Sequence, residues 1–388
     1  MHTGHPPLLE FLRDEIRRNG PMPFRRFMEQ TLYHPEHGYY SSARCVIGRE
    51  GDYFTNVSVG PLFGTLLAAQ FAEIWRLLDK PNDFTIVEQG AHRAEFARDV
   101  LTAVRDEAPD FFASLTYEII EPFSALETSQ KESLSEFSDK VTWRKSVAEL
   151  EPFCGVHFSN EFLDAMPVHL IVSGDKPSAG APACGWQEKY VTDTSNGFGF
   201  VSGTISTAPL HDHLGKVPLP PGITYETEVN LAALDWMDEI SRKLARGFIV
   251  TVDYGYARDQ FYAPARNTGT LRARARHQII PSPLLEVGNA DITAHLDWTS
   301  IAERAEGSGL QLAGFTDQHH FLTGIISNPA AGDASAIARH SRALQTLLHP
   351  EFLGTTFQFL ALSRDVDGGS DLMGFKFARN ARSALALG

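Results

Sequence analysis

Cysteine is scarce in this 388-residue chain, which has three: Cys45, Cys154 and Cys184, none of them in a Cys-x-x-Cys pair. A sparse, odd set does not form a disulfide framework and points to a reducing, cytoplasmic compartment. Long apolar runs are missing as well: no stretch approaches the ~20 apolar residues needed to span a bilayer. The short N-terminal apolar cluster is broken by Arg13, Asp14 and Glu15 and lacks the uninterrupted apolar core of a signal peptide, so no membrane insertion is expected. Cations are in deficit, with 34 Lys and Arg against 48 Asp and Glu and a formal net charge of −14. That balance argues against a nucleic-acid partner, because phosphate-binding surfaces need clustered Lys and Arg, and it suits a basic protein or peptide. There is no internal repeat and no low-complexity tract.

Apolar residues make up 43% and charged residues 21%, enough for a sizeable core and too little charge for wholesale disorder. The length predicts one large domain with insertions, or two domains. Leu8, Leu9, Phe11, Leu12 and Ile16 predict an opening amphipathic helix ended by Gly20, and a second follows around Phe24–Leu32. Pro61 to Leu78 reads as a helix with one broad buried face. Strand and helix then alternate. Strands are expected at Phe84–Gln89, Leu115–Glu121, Val141–Trp143, Val156–Ser159 and Gly247–Asp253, with late strands at Gln311–Thr316 and Phe357–Ser363. Helices are expected at Ala91–Ala108, Phe123–Phe137, Val229–Arg246 and Thr299–Ser308. Such alternation implies an α/β fold: a mostly parallel sheet with helices on both faces. Between Val168 and Thr227, Gly, Pro and Ser become frequent, which predicts an inserted, partly β subdomain on the substrate side. The expected divisions are 1–80 (N-terminal helices and a Gly-Asp loop), 81–167 (first half of the sheet), 168–228 (the insertion) and 229–388 (second half, with a capping insertion at 257–297).

Four segments carry candidate chemistry. Val87-Glu88-Gln89-Gly90-Ala91-His92-Arg93-Ala94 lies where the first strand turns into a helix, the usual place for a nucleotide-like ligand. Glu88 and Gly90 fit the pattern acid-x-Gly-x-Gly-x-Gly, while His92 and Ala94 stand where further glycines are expected. Glu121, at the end of the second strand, is placed to accept hydrogen bonds from ribose hydroxyls, a feature that nicotinamide dehydrogenases share. Ser159-Asn160-Glu161-Phe162-Leu163-Asp164 follows the fourth strand and places polar groups at the crevice; Asp164 reads as a capping or surface residue. Gly51-Asp52-Tyr53-Phe54-Thr55-Asn56-Val57-Ser58 runs into the Pro61 helix, with Asn56 and Ser58 read as caps.

Taken together, GREGDYFTNVSVGPLFG, VEQGAH, the acid of IIEP, FSNEFLDAMPVH, VDYGY, GTLRA, ADITAHLDW and QHHFLTG resemble the MidA family of methyltransferases, which includes mitochondrial complex I assembly methyltransferases. The resemblance runs from about Pro23 to Gly324, and the order and spacing of the segments carry it. It implies a class I methyltransferase sheet, S-adenosylmethionine (AdoMet) as cofactor, and methylation of arginine in a protein, possible acceptors including a respiratory-complex subunit. It also implies cofactor-binding roles for Glu88, Gly90, Glu121, Gly51, Thr55 and Ser159. The chain departs from the family at Gly90-Ala91-His92-Arg93-Ala94, where typical members carry Gly-Pro-Gly-x-Gly. Because a guanidinium is a poor nucleophile when protonated, Asp52 and Glu161 are the candidate catalytic carboxylates that hold and orient it. The alternatives are a silent binding or assembly protein on the same fold, and a small-molecule methyltransferase. No metal site is expected: His211, His213, His319 and His320 have no third ligand at a standard spacing.

Overall fold

The computed structural model describes residues 3–41, 55–173, 185–218, 223–276, 278–328, 340–366 and 371–388. The chain forms two compact units, one of Thr55–Phe162, Trp236–Ala257 and Trp298–Gly388, the other of Met1–Phe54, Leu163–Asp235 and Arg258–Asp297.

The first of these holds the main sheet. Its described helices of nine residues or more are α1 (Leu62–Leu77), α2 (Glu95–Glu107), α3 (Ser124–Ser133), α4 (Leu231–Lys243, from Trp236 onward in this unit), α5 (Trp298–Gly307) and α6 (Gln318–Ile326). Its strands are β1 (Phe84–Gln89), β2 (Leu115–Ile120), β3 (Val141–Arg144), β4 (Phe153–Asn160), β5 (Leu244–Tyr256), β6 (Gln311–Asp317) and β7 (Phe357–Arg364). They lie in the order β6-β7-β5-β4-β1-β2-β3. All pairs from β5 to β3 are parallel, and β7 runs antiparallel to both β5 and β6.

The strands are near-continuous apolar runs because the sheet is covered on both faces. On one face Ile86, Phe158, Val250 and Val252 pack against Leu66, Phe71, Phe96 and Val100 of α1 and α2. Here α1 buries Leu62, Phe63, Leu66, Leu67, Phe71 and Ile74, an apolar face at helical spacing. A Cβ on Gly64 would stand 2.7 Å from the Cβ of Asp99, so α1 meets α2 at a point where any larger residue would push them apart. On the other face the His157 ring meets Trp236 of α4 edge-on at 5.4 Å.

The sequence places each of these strands, but several boundaries move. The helix expected from Ala91 begins at Glu95, because Ala91–Ala94 forms a loop. The one expected from Val229 begins at Leu231, since Val229 ends a strand, Glu226–Val229.

The second unit is built on two helices and two small sheets. Pro6–Asn19 buries Leu8, Leu9, Leu12 and Ile16, and Phe24–Tyr33 follows. One sheet runs Met22–Pro23, Trp186–Thr194, His169–Ser173, Glu226–Val229, with Gly197–Gly203 paired onto Trp186–Thr194. The segment 257–297, expected from sequence as a capping insertion, contains a three-stranded antiparallel sheet of Gln278–Ile280, Arg272–Ala275 and Asp291–Thr293. Its strands are too short for a period-2 pattern to stand out. His211 and His213 lie on a short helix, Ala208–Leu214. No described helix is long and apolar enough to cross a membrane.

Candidate active site

Strand order reverses between β1 and β4: the chain moves outward through β2 and β3 on one side and through β5 on the other. In an open α/β sheet the ligand crevice lies beyond the carboxyl ends of the strands at that point. Register aligns those ends, with Gln89 opposite both Ile120 and Ser159, and Asn160 opposite Val252. Gly90, Glu121, Asn160 and Glu161 therefore leave the sheet along one edge.

The loop after β1 has a left-handed backbone at alternate residues: Gly90 (φ +84°), His92 (φ +46°) and Ala94 (φ +59°). These are the positions where the glycines of the Gly-x-Gly-x-Gly pattern stand. The loop keeps the path that those glycines permit, although only the first is glycine. At Gly90 the restriction is double, since a Cβ would lie 3.2 Å from the Phe162 ring as well as requiring a disfavoured φ. Gly90 and Arg93 are exposed, so the Arg93 cation lies toward solvent.

Glu88, on β1, is buried, and the Tyr117 hydroxyl of β2 donates to its Oε2 at 2.7 Å. Burial pushes the Glu88 carboxyl up to about 7, against a smaller opposing pull from that bond. Glu121 is also buried; its Oε1 accepts from the Phe123 amide at 2.9 Å and its Oε2 from Gln130 Nε2 at 2.8 Å. Burial raises its pKa too, with both bonds opposing.

Glu161 follows β4 in a left-handed conformation (φ +50°), its N–H donating to the Val252 carbonyl at 3.0 Å. Its Oε1 accepts from Asn160 Nδ2 at 3.0 Å and from the Asn56 amide at 3.3 Å, and its Oε2 from the Tyr254 hydroxyl at 3.4 Å. Burial pushes this carboxyl up to about 8, with Asp253 adding like-charge repulsion. Asp253, fully buried on β5, accepts from the amides of Phe162 and Tyr254. Asn56 donates its amide to Asn160 Oδ1 at 3.0 Å, and its own Oδ1 is buried with no partner among the described residues. Asn56 is thus not a helix cap: it belongs to the Glu161 cluster.

Thr55 and Ser159, expected to bind cofactor, make local bonds. The Thr55 hydroxyl lies 2.9 Å from that of Ser58, shaping the turn that carries Asn56. The fully buried Ser159 donates to Thr251 at 2.9 Å and ties β4 to β5. Gly51 and Asp52 lie outside the described residues. Tyr117 and Gln130 escaped the sequence reading, because neither sits in a recognisable motif. No cluster of three or more His, Cys, Asp or Glu able to hold a metal is found among the described residues.

Glu88 and Glu161 are buried carboxylates with no cation shifting either one. With the orphaned Asn56 oxygen, they make an edge rich in acceptors and poor in positive charge. AdoMet, which carries ammonium and sulfonium centres beside a ribose, fits that donor set.

A sheet whose seven main strands take this order, with an acid and a left-handed loop at the switch point, defines a class I AdoMet-dependent methyltransferase. The chain belongs to the family described as "putative S-adenosyl-L-methionine-dependent methyltransferase", whose model matches residues 66–316. It is similar to a Burkholderia thailandensis protein solved with S-adenosyl-homocysteine bound, at 30% identity and a TM-score of 0.84 over 97% of this chain and 96% of that one. It is also similar to the Drosophila melanogaster homolog of the mitochondrial protein arginine methyltransferase NDUFAF7 (27% identity, 93% of this chain, 85% of the relative). The Homo sapiens protein of that name is 23% identical over 97% of this chain and 87% of its own length. AdoMet is the cofactor, and the MidA-type resemblance read from the motifs stands.

Proposed function

We propose that this methyltransferase transfers a methyl group to an arginine side chain of a protein. The observation that carries the reading is Glu161: a buried carboxyl raised to about 8, held by Asn160, Asn56 and Tyr254, and lacking a cation of its own. A guanidinium entering beside it supplies that cation. Its N–H groups match a carboxylate's two oxygens, and the Asn56 Oδ1 offers a further acceptor. Bound AdoMet supplies an electrophilic methyl group. The protein's part is to position the acceptor nitrogen in line and localise its charge. As the C–S bond breaks and the C–N bond forms, sulfur keeps the electron pair and the nitrogen loses a proton. Glu161 is the group placed to receive it, and Asp52 is proposed as the second carboxylate of the acceptor site. Glu88, Gly90 and Glu121, with Gly51, are proposed to hold the cofactor, while Thr55 and Ser159 support it through the turn and the strand pair they fix.

The acidic net charge of −14 suits a basic protein segment. The relatives named as protein arginine methyltransferases support a protein acceptor. The motif resemblance to complex I assembly enzymes makes a respiratory-complex subunit the first acceptor to try. The three unpaired-pattern cysteines support a cytoplasmic setting.

The test is Glu161→Gln, assayed for methylarginine by mass spectrometry and for AdoMet affinity by calorimetry. Transfer should vanish with affinity nearly unchanged. Equal loss of both would move Glu161 to a cofactor-binding or structural role.

A further inference from the structure

Helix α3 is mostly polar, and its one buried residue is Gln130. No part of this side chain is exposed to solvent, and two of its three polar bonds lead to site elements. Its Nε2 donates to the His92 carbonyl at 2.8 Å and to Glu121 Oε2 at 2.8 Å, while its Oε1 accepts from Trp143 Nε1 at 2.9 Å. The orientation is forced: an indole N–H can only donate, and a carbonyl and a carboxylate oxygen can only accept. Burying a carboxamide is costly unless its bonds are made, so a leucine here would pack more cheaply.

We propose that Gln130 is a positioning residue that clamps the loop after β1 to the ribose-reading carboxylate, fixing the spacing at which AdoMet is gripped. The proposal rests on the reading of Glu121 as the ribose acceptor. One bond end sits on the peptide after the left-handed His92, the other on Glu121, so a single side chain sets loop path and acid together. Phe123 and Gln130 use two of the roughly four acceptor directions of a carboxylate. The remaining directions can take two vicinal hydroxyls.

The test uses the full chain and calorimetry with S-adenosylhomocysteine and its analogue lacking both ribose hydroxyls. Gln130→Met should weaken the hydroxylated ligand about tenfold, the scale of one hydrogen bond to a charged group. It should change the deoxygenated one by less than about twofold, so that preference between the two collapses. Trp143→Phe, which keeps Gln130 but frees its amide to turn over, should give a smaller loss of the same kind. Because the Gln130 bond lowers the Glu121 pKa, the pH below which the hydroxylated ligand is lost should also move up in Gln130→Met. Equal weakening of both ligands means a merely structural glutamine, and no weakening of either means no clamp; each overturns the proposal. Glu121→Gln in the same assay separates the layers. If it leaves the preference intact, the ribose reading fails and the clamp with it. If it erases the preference while Gln130→Met does not, only the clamp fails.

Discussion

The Tyr117 hydroxyl on β2 donates to the Glu88 carboxylate on β1 at 2.7 Å, and among the described residues no other side chain shifts the charge of Glu88. Its carboxyl is raised by burial to about 7, so a large fraction is protonated near neutrality. A protonated Glu88 cannot hold a cation. AdoMet affinity is therefore expected to rise between pH 6 and 8, approaching tenfold per unit on the acid side, which calorimetry across that range will measure. Tyr117→Phe removes the bond that favours the charged form and should move the midpoint to higher pH. A pH-independent affinity in the wild-type chain would exclude Glu88 from the cofactor grip.

Ala94 is the second test of the loop. It lies at φ +59°, ψ +27°, fully buried, at the cap of α2. A left-handed conformation costs a residue with a Cβ ~1–2 kcal/mol. Ala94→Gly removes that cost and loses one buried methyl, ~0.8 kcal/mol. Urea unfolding should find the variant as stable as the parent or slightly better, whereas alanine to glycine inside an ordinary helix loses ~1 kcal/mol. Ala94→Val, with a branched Cβ in the same conformation, should lose ~2 kcal/mol or more. A clear loss on Ala94→Gly would mean that the strain is absent.

Much of this was legible in the sequence, for physical reasons that can be named. The sheet strands are buried on both faces, so FTIVEQ and GFIVTVD read as apolar runs between Gly and charged residues. Glu88, Glu121 and Glu161 were visible because a carboxylate ending such a run is out of place unless it serves a crevice. The left-handed path at His92 and Ala94 was not visible, since it contradicts their side chains, and local rules fail most often at functional sites. Gln130 and Tyr117 were hidden for another reason. Their partners are distant in sequence, and a glutamine in a polar helix looks solvated until the fold buries it. The role of Asn56 as a donor to the Glu161 cluster, instead of a cap, likewise needed β4 in place.

Glu161 leads to a kinetic prediction. Its carboxyl lies near 8 in the free protein, because burial and Asp253 disfavour its charge. If the ionised form receives the guanidinium, kcat/KM for methyl transfer should climb with pH through a limb near 8, since that ratio reports the free enzyme. A bound guanidinium stabilises the carboxylate, so the limb in kcat should lie lower. Steady-state rates from pH 6 to 9 will show both. A shared limb in kcat and kcat/KM would indicate that the substrate cation does not meet Glu161.

His157 leads to a prediction on stability. It sits in the middle of β4, fully buried, with neither ring nitrogen bonded among the described residues, and Trp236 packs against it. Burial lowers its pKa to about 3 from 6.5. A base depressed in the folded state binds its proton in the unfolded state first. The stability it permits is thus whole above pH 6.5 and is lost as pH falls toward 3, by up to ~1.4 kcal/mol per unit. Between pH 7 and 5 this amounts to ~2 kcal/mol. His157→Phe keeps a ring against Trp236 and cannot titrate. Unfolding curves at the two pH values should show the variant losing ~2 kcal/mol less than the parent. If both lose the same amount, the imidazole is hydrated or paired in solution, and the acid sensitivity arises from other groups.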